Sequence, residues 1–192
     1  LDLSHLSFVH ADTIGADSIL DYTVQTERQT DRVKMIRLIP DEAPAPFYSM
    51  AGSFSGNVDR WQVVESLVPT CCDVDIGSAE VGSGVLDGDR PQGIAFHALS
   101  AVTPETATTS HQFYAHPRMF ALDSEEMDEV YRVDFKRVFL EDVEMMEAQQ
   151  RAIDRDPERG LIDINVDGPG LAMRMLLAKH IEAENGAGQT SP

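Results

Sequence analysis

The sequence predicts an α+β fold, and three observations lead to that class. Residues 21–115 contain short apolar runs separated by Gly, Pro and Asp at the intervals of an antiparallel sheet. From Asp123 to Ile153 the chain has neither Gly nor Pro, and apolar residues recur at three and four steps. Strands come first and the long helix comes late, without alternation. We therefore expect a curved antiparallel sheet wrapped on a long C-terminal helix, a helix-grip arrangement.

Length and composition limit the domain count and the partners. The 192 residues, 42% of them hydrophobic, can bury one substantial core. We expect one domain over residues 1–186 and a disordered tail at 187–192. The formal charge of -18 repels nucleic acid and anionic membrane surfaces. Neither a membrane-spanning run nor a signal peptide is visible, so a cytoplasmic location is expected.

In the sheet region, prolines are expected to end strands, and residues alternate between the two faces of a strand. Pro40, Pro44 and Pro46 are expected to end strands, because proline cannot donate to a central ladder. In two later runs the residues that share a face are Ile94, Phe96, Ala98, Ser100 and Val102, and then Thr109, His111, Phe113 and Ala115. The adjacent Cys71 and Cys72 lack spaced partners for a metal site, and we expect them to be buried thiols.

Two helices are expected after the sheet. The first begins at a capping box formed by Asp123 and Glu126 and is broken by residues 154–160. The second ends near Asn185 and Gly186. The first helix carries an apolar stripe of Phe135, Phe139, Met146 and Ile153, with Val138 and Met145 at its margin. A sheet wrapped on such a helix leaves a cavity that suits a small, mostly apolar ligand.

The opening segment LDLSHLSFVH places polar residues among apolar ones. Asp2, His5 and His10 cost free energy there unless hydrogen bonds or a metal satisfy them. Five residues turn an α-helix through about 500°, which leaves His5 and His10 on different faces. A π-bulge or a helix end between them brings them together. We expect such an irregularity, although hydrogen-bonded core histidines explain the pair equally well.

Asp142 interrupts the apolar stripe of the long helix. It lies three residues after Phe139 and four before Met146, where a hydrophobic residue is expected. The neighbouring Glu141 and Glu144 are interpreted as solvated charges. A buried carboxylate needs a partner, and the middle of a helix has no free amides. A metal ion is one possibility, and a salt bridge to Arg118 or Arg174 is the other.

Two histidines and one carboxylate form the ligand set of the facial triad that holds Fe(II) with open positions for oxygen chemistry. His5, His10 and Asp142 provide that set. Zinc hydrolases use similar ligands. They usually carry HExxH, which this sequence lacks, so hydrolysis is the lesser alternative.

At these residues the chain resembles the C-terminal catalytic domain of Rieske non-haem iron oxygenases of the vanillate O-demethylase and dicamba monooxygenase type. The segment Asp2-x2-His5-x4-His10 matches the family signature. TPET at 103–106, followed by His111 and Arg118, matches its middle pattern, and FLEDVEMMEAQQ matches the helix that supplies the third ligand. Three segments in the right order cover nearly the whole chain, and the implied fold is the Bet v 1-like helix-grip fold.

The resemblance implies a role for several residues. It assigns His5, His10 and Asp142 as ligands of mononuclear iron in a catalytic domain at residues 1–186. It gives Asp2 a catalytic role, linking a histidine ligand to the Rieske centre of a neighbouring subunit. Ser100, His111, Val133, Phe135 and Phe139 are predicted to contact substrate, although core packing explains the phenylalanines as well. His97, His116 and His180 receive no role.

The chain departs from the family in ways that affect function. It has no C-x-H and C-x-x-H pair, so we expect the N-terminal Rieske domain to be absent from this chain, either because it was removed or because the protein does not complete its catalytic cycle alone. Ser100 and Val133 stand where dicamba-type enzymes have His and Trp, so the substrate is expected to differ from dicamba.

The resemblance implies O-demethylation of a small aromatic acid such as vanillate by dioxygen, in a homotrimer. Electrons come from NAD(P)H through a reductase and a Rieske [2Fe-2S] cluster. Ring hydroxylation, N-demethylation, a metal-free helix-grip ligand-binding module and a purely structural assembly subunit remain alternatives.

Overall fold

Within the described part of the chain, six strands form one open antiparallel sheet in which each strand pairs with the next along the sequence. The computed structural model describes residues 5–10, 14, 21–90, 93–160 and 162–188. The strands are β1 (Gln25–Arg28), β2 (Arg32–Glu42), β3 (Val58–Leu67), β4 (Cys71–Glu80), β5 (Ile94–Pro104) and β6 (Ser110–Ala115). The predicted α+β class is confirmed, with the sheet first and the long helices last.

The helices follow the sheet, apart from one short helix between β2 and β3. They are α1 (Pro46–Ala51), α2 (Glu125–Val130), α3 (Lys136–Arg155) and α4 (Gly168–Gly188), and a π-helical turn (Tyr131–Phe135) joins α2 to α3. Short 3-10 turns lie at His5–Ser7, Val85–Asp87 and Asn165–Asp167. The single long helix predicted from Asp123 is therefore a run of α2, π turn and α3. In this described region, no helix is both long and apolar enough to cross a membrane.

The structure corrects the start of the first predicted helix and the end of the second. Ser124, not Asp123, caps α2, because its hydroxyl accepts a hydrogen bond from the Met127 amide at 3.1 Å. Helix α4 continues past Gly186 to Gly188, since a glycine inside a helix costs only about 1 kcal/mol. The start of the predicted disordered tail is thus helical, and residues 189–192 lie outside the described residues.

Pro40 does not end a strand as predicted. It lies within β2, which continues to Glu42, because the register between β2 and β3 shifts between Ile39 and Glu42. The shift removes the need for Pro40 to donate a ladder hydrogen bond. Pro46 instead begins α1, a position that suits its fixed φ.

The inner face of the sheet, which carries Phe96 and Tyr114, packs against the helices. Three rings from three elements meet there edge to face. The ring centroids of Phe47 on α1, Phe96 on β5 and Phe135 in the π turn lie 5.3 to 5.5 Å apart. All three side chains are buried. This aromatic cluster holds the helix against the sheet and so determines where α3 continues.

The outer face carries Trp61 and Phe113. Trp61 is fully buried beneath the 3-10 turn at Val85–Asp87. Toward β6, however, Phe113 is 63% exposed and Cys71 is exposed, while Cys72 on the inner face is half-buried. The prediction of two buried thiols is therefore wrong, because no described element covers the sheet at Cys71.

The apolar stripe of the long helix packs only in its first half. Phe135 and Val138 are buried, whereas Met146 is 53% exposed and Ile153 is 40% exposed. Beyond Phe139 the helix and β6 enclose an open groove of about 810 Å³. We call it the β6–α3 groove, and its lining includes Gln112, Tyr114, Lys136, Phe139, Val143 and Met146.

Replacing Gly77 tests the packing of the outer face. A Cβ atom at Gly77 overlaps the Trp61 ring and lies 2.6 Å from the carbonyl oxygen of Ile94. We expect Gly77→Ala to lower the free energy of unfolding in urea by about 1–3 kcal/mol through overpacking. Gly56→Ala, which meets nothing within 4 Å, is expected to change it by less than about 0.5 kcal/mol. Equal stabilities of the two variants contradict the prediction.

Candidate metal centre

The two histidines of the opening segment are brought together by a helix end. The 3-10 turn His5–Ser7 closes with the amides of Phe8 and Val9 both donating to the His5 carbonyl, at 2.9 and 2.7 Å. The imidazole centroids of His5 and His10 lie 5.1 Å apart. The predicted irregularity between the two histidines is confirmed.

Helix α3 brings Asp142 to the same place. Its Oδ1 lies 3.1 Å from His10 Nε2 and 3.7 Å from His5 Nε2. One possible ligand atom from each residue lies within 4.8 Å of the other two. Bonds from a metal ion to imidazole or carboxylate are about 2.1 Å long, so modest side-chain shifts let one ion reach all three. The donor set therefore fits a metal ion.

The alternative salt-bridge partners of Asp142 are engaged elsewhere. Arg118 pairs with Asp128 at 2.6 Å, and Arg174 lies 3.5 Å from Asp163. Asp142 instead faces the two histidines. This geometry favours the metal interpretation over the salt-bridge interpretation.

Burial varies across the centre. His10 is 2% exposed, whereas the His5 and Asp142 side chains are 34% and 30% exposed. The centre therefore has one deeply buried ligand and a side that opens toward solvent. Among these three residues, the open side at His5 and Asp142 is the one that a small molecule can approach.

Glu141 contacts the candidate centre, which the sequence analysis missed. It was interpreted as a solvated charge, but its Oε2 lies 2.9 Å from His10 Nδ1. Arg137, one helical turn earlier, lies 3.5 Å from Glu141 Oε1. The interpretation was wrong because the His10 ring lies between the side chains of Glu141 and Asp142, which are consecutive residues of α3. Only the docking of the opening segment on α3 reveals this contact.

Carboxylates therefore face both ring nitrogens of His10. When Nε2 binds a metal, Nδ1 must carry the proton and donate to Glu141, which fixes the tautomer and the ring orientation. Burial alone lowers the pKa of His10. Hydrogen bonds to Asp142 and Glu141 outweigh burial and hold that pKa above its usual value. The local field thus favours a cation at this position.

Asp2 was predicted to link a histidine to a neighbouring centre. It lies outside the described residues, so its position stays a prediction. For the other histidine, His10, Glu141 provides the carboxylate on the second ring nitrogen.

The predicted substrate residues separate into different environments. Phe139 is half-buried at the β6–α3 groove, and Phe135 is in the aromatic cluster of the core. Ser100 lies on the inner face and accepts a hydrogen bond from the Gln112 side chain at 3.1 Å. Val133 is 47% exposed. His111 is on the outer face, 60% exposed, and 3.4 Å from Glu105.

His116 lies between the sheet and the helix, although the sequence analysis gave it no role. Its ring centroid is 4.9 Å from that of Phe135 and 5.4 Å from that of Phe139. The sequence signal for this position is the five-residue separation between His111 and His116. Because residues an odd number apart along extended chain lie on opposite faces, the two histidines were bound to differ in face. Periodicity alone does not say which face the helix covers.

Comparison with known proteins identifies the family of this chain. Residues 1–183 match the family model of the vanillate O-demethylase oxygenase C-terminal domain. This chain belongs to that family. The assignment confirms the resemblance to the catalytic domain of Rieske non-haem iron oxygenases that the motifs indicated.

Curated relatives cover almost the whole chain of this family member. A putative toluene-4-sulfonate monooxygenase system iron-sulfur subunit of Comamonas testosteroni is 34% identical over 190 residues, which are 97% of this chain and 55% of the relative. A vanillate O-demethylase oxygenase subunit of Pseudomonas sp. is 31% identical over 192 residues, 97% of this chain and 54% of the relative. The chain thus spans about half the length of these relatives.

A solved structure has the same fold. The crystal structure of dicamba monooxygenase bound to 3,6-dichlorosalicylic acid superposes with a TM-score of 0.82 at 22% identity, covering 95% of this chain and 54% of that chain. At this identity the likeness establishes the fold alone, an α+β domain.

Substitutions of Asp142 and Glu141 test the metal centre. We expect Asp142→Ala to abolish Fe(II) binding and Glu141→Gln to weaken it by about 10-fold, because partners of metal-ligating histidines contribute 10- to 100-fold in affinity. Anaerobic titration with Fe(II) measures both effects.

Glu144→Gln is the matched control, since this exposed glutamate lies on the same helix. Its Fe(II) affinity is expected to equal that of the wild type. An unchanged affinity in Glu141→Gln, with the helix content retained, contradicts the role of Glu141.

Proposed function

We propose that this chain is the iron-binding catalytic domain of a Rieske-type monooxygenase that removes the methyl group of a small methoxybenzoate such as vanillate. The convergence of His5, His10 and Asp142 is the observation that carries the proposal. Family membership supports the same chemistry. The observed pairing of Asp142 with two histidines, rather than with an arginine, supports a metal-dependent enzyme over a metal-free carrier.

Iron suits this donor set because two neutral imidazoles and one carboxylate leave coordination positions open. When bound, ferrous iron supplies the activation of dioxygen. Glu141 holds the His10 ring in the required tautomer, and Arg137 lies beside Glu141. The buried side at His10 excludes water, while the partly exposed side at His5 admits dioxygen and substrate.

These 192 residues do not themselves supply a Rieske cluster. The two cysteines are adjacent, Cys71 and Cys72, and do not form the paired Cys and His motifs that a Rieske cluster requires. We propose that a Rieske [2Fe-2S] domain in a homotrimer receives electrons from NAD(P)H through a reductase. Relatives named as iron-sulfur and oxygenase subunits support this division of labour. A cytoplasmic location is proposed with it, since free thiols stay reduced there.

The overall reaction consumes the methoxy compound, dioxygen, two electrons and two protons. One oxygen atom enters the methyl C–H bond and the other leaves as water. The resulting hemiacetal collapses to a phenol and formaldehyde. The contribution of the protein is to position the methyl carbon beside the centre and to exclude bulk water.

The β6–α3 groove supports an aromatic acid as substrate. Its volume of about 810 Å³ suits a small ligand, and the rings of Tyr114 and Phe139 stack along it with centroids 4.3 Å apart. Glu147 and Arg151 pair with each other at 3.6 Å across one helical turn. Lys136, without an ion pair in the described residues, supplies the positive charge that attracts a carboxylate or a sulfonate.

Formaldehyde release tests the proposed reaction. The full-length protein with its reductase and NADH is expected to form one formaldehyde and one phenol for each NADH oxidised with an accepted methoxybenzoate. Asp142→Ala is expected to lose at least about 100-fold of the rate, since it removes an iron ligand.

Three other results contradict this function. Oxidation of toluene-4-sulfonate without demethylation of any methoxybenzoate favours a toluene-4-sulfonate monooxygenase, the activity for which one relative is named. Hydroxylation of the aromatic ring favours a ring hydroxylase. A protein that binds methoxybenzoates but takes up no iron is a metal-free carrier.

A further inference from the structure

His116 lies in an aromatic enclosure on the inner face of the sheet. It directly follows β6 and lies on the same side as Tyr114, with the two ring centroids 5.6 Å apart. Phe135 and Phe139 contact it from the helix at 4.9 and 5.4 Å, and Tyr131 lies at 5.9 Å. The imidazole is therefore the polar group within a wall of rings.

This enclosure adjoins the metal centre. Phe139, which contacts His116, precedes Asp142 by three residues on the same helix. Side chains three apart on a helix are neighbours with Cβ atoms about 5–6 Å apart. Phe139 also lines the β6–α3 groove, as does Tyr114. A planar ligand in the groove that lies against these two rings is therefore next to the rings that contact His116.

The hydrogen-bonding capacity of His116 is unused within the protein. In the residues that the structure describes, it has neither a hydrogen bond nor an ion pair, and burial lowers its pKa. At neutral pH the ring is uncharged, with one nitrogen donating and the other accepting. A half-buried imidazole without a partner is best satisfied by a ligand or by water.

The other histidine of this strand region faces away from the helix. His111 was predicted to contact substrate, but it lies on the outer face of β6 beside Glu105 and is 60% exposed. Residues five apart along the extended chain lie on opposite faces. The inner position therefore belongs to His116.

We propose that His116 is a substrate-positioning residue that hydrogen-bonds a phenolic hydroxyl on the aromatic substrate. The proposal rests on the proposed function of the same site. Among rings, a neutral hydroxyl is accepted at lower cost than a carboxylate. The carboxylate of the same substrate is left near Lys136 at the groove. Hydroxyl and carboxylate then fix the ring in one orientation relative to the metal.

Binding of two matched probes tests this role. The iron-loaded full chain is titrated calorimetrically, without dioxygen, with 4-hydroxy-3-methoxybenzoate and with 3-methoxybenzoate, which lacks the hydroxyl. We expect the wild type to prefer the hydroxylated probe by about 10-fold, the range of one hydrogen bond. His116→Phe is expected to lose this preference with little change for 3-methoxybenzoate. His116→Gln, which retains hydrogen-bonding atoms, is expected to restore part of it.

His111→Phe is the matched control and is expected to behave as the wild type. Equal weakening of both probes in His116→Phe indicates a merely structural role and overturns the inference. So does a preference that survives His116→Phe, a wild type without preference, or an iron-loaded wild type that binds neither probe. Failure of the wild type to take up iron overturns the proposed function instead, so the two failures are distinguishable.

Discussion

A buried histidine between two carboxylates is the constraint on which the site depends. His10 is 2% exposed, and its ring nitrogens face Glu141 and Asp142 at 2.9 and 3.1 Å. An imidazole buried this deeply is costly unless both nitrogens are satisfied. Both partners come from consecutive positions of α3. The contact therefore holds the opening segment against the long helix and sets the position of one ligand of the centre.

The aromatic cluster determines where that helix lies. Phe47, Phe96 and Phe135 come from α1, β5 and the π turn, and their edge-to-face contacts fix the helix across the inner face of the sheet. Asp142 lies seven residues beyond Phe135, about two turns along α3. The core and the metal centre are thus parts of one rigid arrangement. The β6–α3 groove lies beside this arrangement and shares Phe139 with it.

The π turn and the 3-10 turn have the same effect on the centre. An irregular turn at Tyr131–Phe135 and another at His5–Ser7 each precede a residue of the centre. Each changes the direction in which later side chains project, which a uniform α-helix does not allow. In the opening segment this irregularity was expected, because five residues separate His5 from His10. In the long helix nothing in the spacing indicated the π turn.

From the sequence alone, the fold class, the order of strands and helices, and the three candidate metal ligands could be inferred. These features are local: alternation, three- and four-step periodicity, and polar residues in apolar surroundings. Only the tertiary structure decided that Glu141 joins the centre, that His116 rather than His111 faces the helix, and that Met146 and Ile153 border a groove. Periodicity states which residues share a face. Which face is covered, and how far, depends on contacts between segments distant in the chain, and those contacts exist only after the helix docks on the sheet.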